Sequence, residues 1–147
     1  MSYKLINAYC TPTPFIVSDS DTINIEWSDK KSSLTDPTVF GPAVWFTLHN
    51  GSAHLPNELS PISLSRIKMF IDGIPDMLVV CGKCAEHARN YIETHRWVIN
   101  DMKGGNDVFK FYVDFHNFVN ERLGKSIMSL DTAKKLYMGG KAKVMKY

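Results

Sequence analysis

The chain has 147 residues, of which 44% are hydrophobic and 22% charged, with a formal net charge of +2. This length and composition predict one globular domain that is large enough to bury its own core. The near balance of 17 basic and 15 acidic side chains argues against a nucleic-acid binder driven by bulk electrostatics. No apolar run approaches the roughly 20 residues that a membrane span needs, and the first residues lack a signal-peptide pattern. We therefore expect a chain made and kept in a reducing compartment, with no nucleic-acid or membrane partner.

The first 36 residues differ from the rest and are expected to form an N-terminal arm. Two short β-rich pieces at 15–17 and 22–27 flank a turn-forming SDSD stretch, which predicts an extended arm or a small β-hairpin. Cys10, the odd one of three cysteines, lies in this arm. In a reducing compartment we expect it to be a free thiol, although a link between subunits and a shuttle to other thiols stay open.

From Thr38 onward the apolar period becomes helical. We expect a first helix that opens near Gly41 and Pro42 and closes at Pro56. One face of it carries residues at i, i+3, i+4 and i+7: Trp45, Leu48, His49 and Ser52.

The second and third helices have clear start signals. Ser60 suits the N-cap of the second helix and Pro61 its first position, while Gly73 and Pro75 are expected to end it. The third helix is expected to begin at the next two cysteines and to run to His95.

A loop at 101–107 is expected before a fourth helix, whose wide apolar face extends over 108–123. Gly124 suits the C′ position of that helix. A short fifth helix is expected over 129–138.

Four main helices with short links predict an all-α fold, a four-helix bundle with a short fifth helix. The domain would span 37–139, between the arm at 1–36 and a basic tail at 140–147.

Cys81 and Cys84 stand three positions apart at the head of the third helix, and His87 follows. Structural zinc is one interpretation, but His87 and His95 are eight residues apart, whereas zinc fingers place their histidines three to five apart. A thioredoxin-type pair is a second, because a helix N-terminus lowers a thiol pKa, but residues 85–138 show helical periodicity where that fold needs strands. Two inert, buried cysteines are a third. The fourth is a cofactor site, because polar and aromatic side chains on three helices could converge on one planar ligand inside a bundle.

Three motifs, in this order, resemble those of the Erv/ALR family of flavin-linked sulfhydryl oxidases. They are G-x-x-x-W-x-x-x-H, C-x-x-C-x-x-H and H-N-x-V-N-x-x-L-x-K. The matching residues are Gly41, Trp45, His49, Cys81, Cys84, His87, His116, Asn117, Val119, Asn120, Leu123 and Lys125. The small size of the chain and the absence of a second cysteine pair resemble the compact versions carried by large DNA viruses.

The resemblance implies an enzyme that makes disulfides in thiol-bearing protein substrates. Electrons would pass from the thiols through a Cys81–Cys84 disulfide to FAD, held in the mouth of the bundle, and then to molecular oxygen, giving hydrogen peroxide. It also implies a homodimer through the first two helices, no metal, and a cytoplasmic location, which for a viral member is the host cytoplasm or the virion. The cofactor-binding residues that it implies are Gly41, Trp45, His49, His87, His116, Asn117, Val119, Asn120 and Lys125.

The chain departs from the family pattern at three places. Pro42 replaces a usual arginine and His54 a usual tyrosine. Many cellular members link the fourth and fifth helices by a disulfide, at positions that are Val113 and Leu130 here. Losing a native disulfide typically costs about 2–5 kcal/mol, so we expect packing to replace it.

Overall fold

The structure, a computed structural model, describes residues 36–139 of the chain. These residues form six helices and no strand. The helices are α1 Pro37–Ala53, α2 Pro61–Met77, α3 Gly82–Thr94, α4 Arg96–Asp101, α5 Gly105–Arg122 and α6 Leu130–Met138. Helix α1 packs most closely against α5 and α2 against α3, while α6 lies against α1 and α5. The predicted all-α fold class is confirmed. The predicted arm with Cys10 and the basic tail lie outside the described residues.

Helix α1 begins earlier than the sequence analysis predicted. Asp36 is the N-cap, because its carboxylate accepts a hydrogen bond from the Thr38 N–H at 2.8 Å, and Pro37 takes the first helical position. Pro42 therefore lies inside the helix rather than at its opening. This Asp-Pro pair is a stronger start signal than the Gly41-Pro42 pair on which the prediction rested.

Helix α2 starts as predicted, with the Ser60 hydroxyl accepting from the Ser63 N–H at 3.1 Å. The predicted end at Gly73 and Pro75 is wrong, because the helix continues to Met77. Pro75 removes one backbone hydrogen bond, but it is buried in the last turn beside Ile74. Burial of this apolar turn compensates for the missing bond.

The sequence analysis missed α4. His95 is both the C-cap of α3 and the residue before α4, so the chain bends there and then continues as helix. Ile99 and Met102 are buried in the main core. The apolar side chains of this turn therefore anchor it to the bundle.

The end of α5 and the packing of α6 follow the predictions. Gly124 has φ +66°, which matches the predicted C′ position and a conformation that favours glycine. Val113 is fully buried in a cluster with Phe109 and Ala133, and Leu130 packs against that cluster. Apolar packing thus occupies the place of the disulfide that many cellular members have.

No helix within residues 36–139 is long and apolar enough to cross a lipid bilayer.

Candidate functional site

Cys81 and Cys84 form a disulfide at the start of α3, with a Cα–Cα distance of 5.1 Å. Cys81 is the N-cap residue and its Sγ accepts a hydrogen bond from the Cys84 N–H at 3.3 Å. Cys84 lies in the first helical turn, where unpaired N–H groups create a positive potential that stabilises a thiolate. The pair is therefore placed for thiol–disulfide exchange.

A cavity of about 300 Å³ opens beside Cys84. The start of α1, the turn between α2 and α3, the start of α3 and the end of α5 surround it, so it lies at one end of the bundle. Apolar side chains such as Leu48, Ile74 and Phe115 form much of its wall. Its size and lining are those of a small-molecule or cofactor site.

Three aromatic rings stack beneath the cavity. The Trp45 and His116 ring centroids are 4.0 Å apart with an interplanar angle of 7°, and both residues line the cavity. His49 lies behind them, with its Nε2 3.0 Å from His116 Nδ1. The stack presents a flat, mostly apolar surface against which a planar ligand can pack.

The two histidines of this stack are held neutral. Burial lowers the pKa of His49 from 6.5 to about 3. Burial also lowers the pKa of His116 to about 2, with further contributions from His49 and Lys125. Both are uncharged imidazoles at neutral pH, so their hydrogen bond joins one N–H donor to one lone pair.

Two polar atoms at the cavity are buried without a hydrogen-bond partner within residues 36–139. They are His87 Nδ1 and Asn120 Nδ2, and both side chains line the cavity. An unpaired buried polar atom is destabilising by about 1–3 kcal/mol. A ligand with hydrogen-bonding groups at its ring edges would remove that penalty.

The mouth of the cavity carries positive charge. Arg122 and Lys125 both line it, and the Lys125 N–H donates to the Asn120 carbonyl oxygen at 2.8 Å, which folds the segment after α5 back onto the helix. Guanidinium and ammonium groups at this position suit a phosphate-bearing ligand.

Asn117 is the predicted site residue whose side chain points elsewhere. Its Nδ2 donates to the Met128 carbonyl oxygen at 2.8 Å, and its Oδ1 accepts from the Met128 N–H at 2.9 Å. This pair of bonds ties α5 to the segment that leads into α6. The contact between Asn117 and a cofactor stays a prediction.

The structure brings most of the predicted site residues to the cavity but leaves three outside its lining. His49 lies behind Trp45 and His116, Cys81 is the N-cap of α3, and Asn117 bonds to Met128. The predicted residues in the lining are Gly41, Trp45, Cys84, His87, His116, Val119, Asn120 and Lys125.

The sequence analysis missed two lining residues of evident chemical interest, Phe40 and Arg122. Arg122 stands three positions before Lys125 in the sequence, and this close spacing of two cations could have identified it. Phe40 had no signal, because the first helix was expected to start after it.

The described residues are also relevant to the zinc-site and thioredoxin interpretations of the cysteine pair. Within residues 36–139 no group of three or more His, Cys, Asp or Glu side chains is arranged around a common metal position. The same residues contain no strand, so they do not form a thioredoxin fold.

The model of the Erv1/Alr family matches residues 42–138 of this chain. The chain belongs to the Erv1/Alr family. The predicted family is thereby confirmed.

Two viral proteins are similar to 68% and 74% of this chain. The protein of Invertebrate iridescent virus 6 named "Putative FAD-linked sulfhydryl oxidase 347L" is 35% identical over 104 residues, which are 68% of this chain and 93% of the relative. The FAD-linked sulfhydryl oxidase of African swine fever virus is 28% identical over 113 residues, 74% of this chain and 87% of the relative.

A solved structure has the same fold. The core of yeast Erv1 aligns with a TM-score of 0.65 at 19% identity, covering 82% of this chain and 99% of that chain. At this identity the match speaks for the helical fold alone.

Proposed function

We propose that this protein is a FAD-linked sulfhydryl oxidase that makes disulfides in thiol-bearing proteins. One observation carries the proposal: the Cys81–Cys84 disulfide stands with Cys84 on the wall of a ring-lined cavity. The activity and the cofactor predicted from the sequence agree with the family match and with the names of the viral relatives.

The residues at the cavity fit FAD. The Trp45–His116 stack offers a flat face for a ring system, and the unpaired His87 Nδ1 and Asn120 Nδ2 offer polar partners for its edges. Lys125 and Arg122 would hold the pyrophosphate by charge. The chemistry that FAD supplies when bound is the acceptance of two electrons from the thiol pair and their transfer to molecular oxygen, giving hydrogen peroxide.

The protein side of the reaction is thiol–disulfide exchange. A substrate thiolate attacks Cys81 Sγ, a new sulfur–sulfur bond forms to Cys81, and the Cys81–Cys84 bond breaks with Cys84 leaving as a thiolate. A second substrate thiolate then attacks the substrate sulfur of this mixed disulfide, and Cys81 leaves. The substrate has lost two electrons and two protons, and the cysteine pair has gained two electrons.

The positions of the two sulfurs assign their roles. Cys84 lines the cavity and Cys81 does not, so Cys84 is the sulfur that faces the cofactor and Cys81 the sulfur that faces the substrate. As an N3 residue of α3, Cys84 is stabilised as a thiolate by the helix N-terminus. Both assignments rest on placement at the cavity wall.

We also propose a homodimer formed through α1 and α2. A shallow depression between these helices is lined by Leu55, Ile67 and Phe70 among others, and Phe70 is 45% exposed. Phe70→Glu should produce a monomer by sedimentation, while Trp97→Glu, at an exposed site on α4, should not. A monomeric parent protein would contradict this assembly.

We further propose that the enzyme oxidises viral proteins in the host cytoplasm or in the virion.

A visible spectrum and an oxygen electrode test the proposed function. The purified protein should be yellow, with flavin absorbance, and should consume oxygen when given dithiothreitol. Cys84→Ser is the control, because it should retain the colour and lose the oxygen consumption. A colourless protein that binds no added FAD, or a yellow one that does not oxidise dithiothreitol, would refute the proposal.

A further inference from the structure

The last residue of α2 and the turn that follows it expose three apolar side chains just before the disulfide. They are Met77, Val79 and Val80, and Val79 is 73% exposed. We call these three residues the apolar turn. Single exposed apolar residues are ordinary. Three of them within four positions, next to a reactive sulfur, form a patch of the kind that marks a binding surface.

The turn is held in this orientation by its own backbone. The Cys81 N–H donates to the Leu78 carbonyl oxygen at 2.9 Å. Leu78 lines the cavity on the inner side, which leaves Val79 and Val80 on the outer side. The two valines are therefore exposed because the turn directs Leu78 towards the cavity and leaves its neighbours on the outside.

The chemistry of the disulfide determines what must lie over this patch. A substrate sulfur has to reach Cys81 Sγ for exchange to occur, and the chain that carries this sulfur must pass over the residues beside Cys81. On one side these are Val79 and Val80. On the other side is Gly82, where a side-chain Cβ would meet no atom within 4 Å, so the approach is open.

We infer that the apolar turn is the docking surface for the substrate, and that it selects polypeptides with apolar side chains next to the reacting cysteine. The inference rests on the proposed function and deepens it. The charged groups beside the turn are one exposed ion pair, Asp76 with Arg89 at 3.8 Å, and Lys83 between the two cysteines. None of them belongs to the apolar turn itself.

The substrate class follows from where such cysteines are found. Cysteine is among the most buried residue types in folded proteins, so its neighbours there are mostly apolar. Such a thiol and its apolar neighbours are most accessible in a chain that has not yet folded around them. The partner is therefore a reduced, not yet folded protein, which binds along the apolar turn while its thiolate attacks Cys81.

Two synthetic peptides test this inference. Each carries two cysteines, flanked by leucines in one peptide and by serines in the other, and dithiothreitol serves as a substrate without side chains. The wild-type enzyme should show a KM roughly tenfold lower for the leucine peptide, the size expected from partial burial of two valines. In Val79→Ser/Val80→Ser the ratio of the two KM values should fall to near one.

A matched control is Ile127→Ser, since Ile127 is a comparably exposed apolar residue, at 67%, on the segment after α5. This variant should retain the preference for the leucine peptide. Equal KM values for the two peptides in the wild type, or a preference that survives Val79→Ser/Val80→Ser, would overturn the inference. A change of oligomeric state in the double variant with unchanged KM values would overturn it too, because the patch would then belong to a second copy.

The dithiothreitol assay distinguishes a failure of the proposed function from a failure of the docking surface. If the wild-type protein does not oxidise dithiothreitol, the oxidase assignment itself is wrong. If it does oxidise dithiothreitol but ignores the flanking residues of the peptides, only the docking surface is wrong.

Discussion

The two ends of the bundle differ in how far the protein satisfies its own polar groups. At one end, which we call the closed end, the segment after α1 pairs with the segment before α5. The Gly105 N–H donates to the Pro56 carbonyl oxygen at 2.8 Å, and the Leu59 N–H donates to the Lys103 carbonyl oxygen at 3.2 Å. These bonds join segments far apart in sequence without any ligand.

At the other end, which we call the cavity end, the described part of the chain leaves some of its groups without contacts. His87 Nδ1 and Asn120 Nδ2 are buried there without a partner in the described part of the chain, and Val79 and Val80 are exposed. The comparison teaches that stability and function are divided between the ends. The closed end holds the helices together, and the cavity end keeps polar and apolar groups available for a cofactor and a substrate.

The largest expected effect is at the cavity end. Cys84→Ser should reduce oxygen consumption with dithiothreitol to the background rate, because the sulfur that faces the cavity is gone and the disulfide cannot form. The variant should still bind FAD, since the ring stack and Asn120 are unchanged. Flavin absorbance and oxygen consumption of the same sample check both statements. Residual turnover near the parent rate would contradict the role given to Cys84.

A pH titration of stability probes the buried stack beneath the cavity. The pKa of His49 is lowered to about 3 and that of His116 to about 2 by burial, so the unfolded chain takes up protons below its ordinary pKa of 6.5 while the folded chain does not. The stabilising effect is complete above pH 6.5 and is lost as the pH falls towards 3, by about 1.4 kcal/mol per pH unit for each histidine.

Denaturant midpoints at pH 7, 6, 5 and 4 measure this loss. The double variant His49→Gln/His116→Gln should show a shallower dependence, and His54→Ala, which removes an exposed histidine, should match the parent. Stability that stays flat between pH 6.5 and 4 would mean that the two rings are hydrated and protonated in the folded protein.

Gly104→Ala tests the closed end. A Cβ at Gly104 would collide with the Asn57 carbonyl oxygen, so one backbone segment must move away from the other. We expect a loss of about 2–4 kcal/mol in the free energy of unfolding, at the level of a disruptive core substitution. Gly73→Ala, in α2 with no atom within 4 Å of the new Cβ, should instead gain about 0.5–1 kcal/mol. Equal midpoints for the two variants would refute the close approach.

Two asparagines of one motif give the smallest and sharpest comparison. Asn120→Ala removes a buried Nδ2 that has no partner within residues 36–139, so it should not lower the stability of the FAD-free protein, and it should weaken FAD binding by about tenfold. Asn117→Ala should do the reverse, losing about 1–2 kcal/mol of stability with little change in FAD affinity, because it breaks two bonds to Met128. Thermal melts without FAD and flavin titrations measure the pair, and the opposite assignment would place Asn117 at the cofactor.

The geometry of α5 shows where the sequence pattern was sufficient and where it was not. At about 100° per residue, His116, Val119 and Asn120 share one face of a helix, and the structure places all three on the cavity wall. Asn117 follows His116 directly and is rotated away by one residue step. The motif named both asparagines, but only helical phase separates the one that faces the cavity from the one that faces Met128.

The sequence by itself determined the helices with strong local signals and the family. Ser60 with Pro61 and Gly124 act through their own backbone and nearest neighbours, so their effect can be predicted without tertiary contacts. The three motifs, with their order and spacing, were enough to indicate the family and hence the cysteine pair. Local chemistry and covalent spacing are properties of the chain alone.

Only the tertiary structure decided the rest. Pro75 stays inside α2, although proline disfavours a helix interior, because its burial with Ile74 outweighs the lost hydrogen bond. The extra helix α4 forms because Ile99 and Met102 find places in the core. The unpaired atoms at the cavity and the exposed valines beside Cys81 likewise appear only when four helix ends meet. Packing is a sum over contacts between distant segments, and no short stretch of sequence contains it.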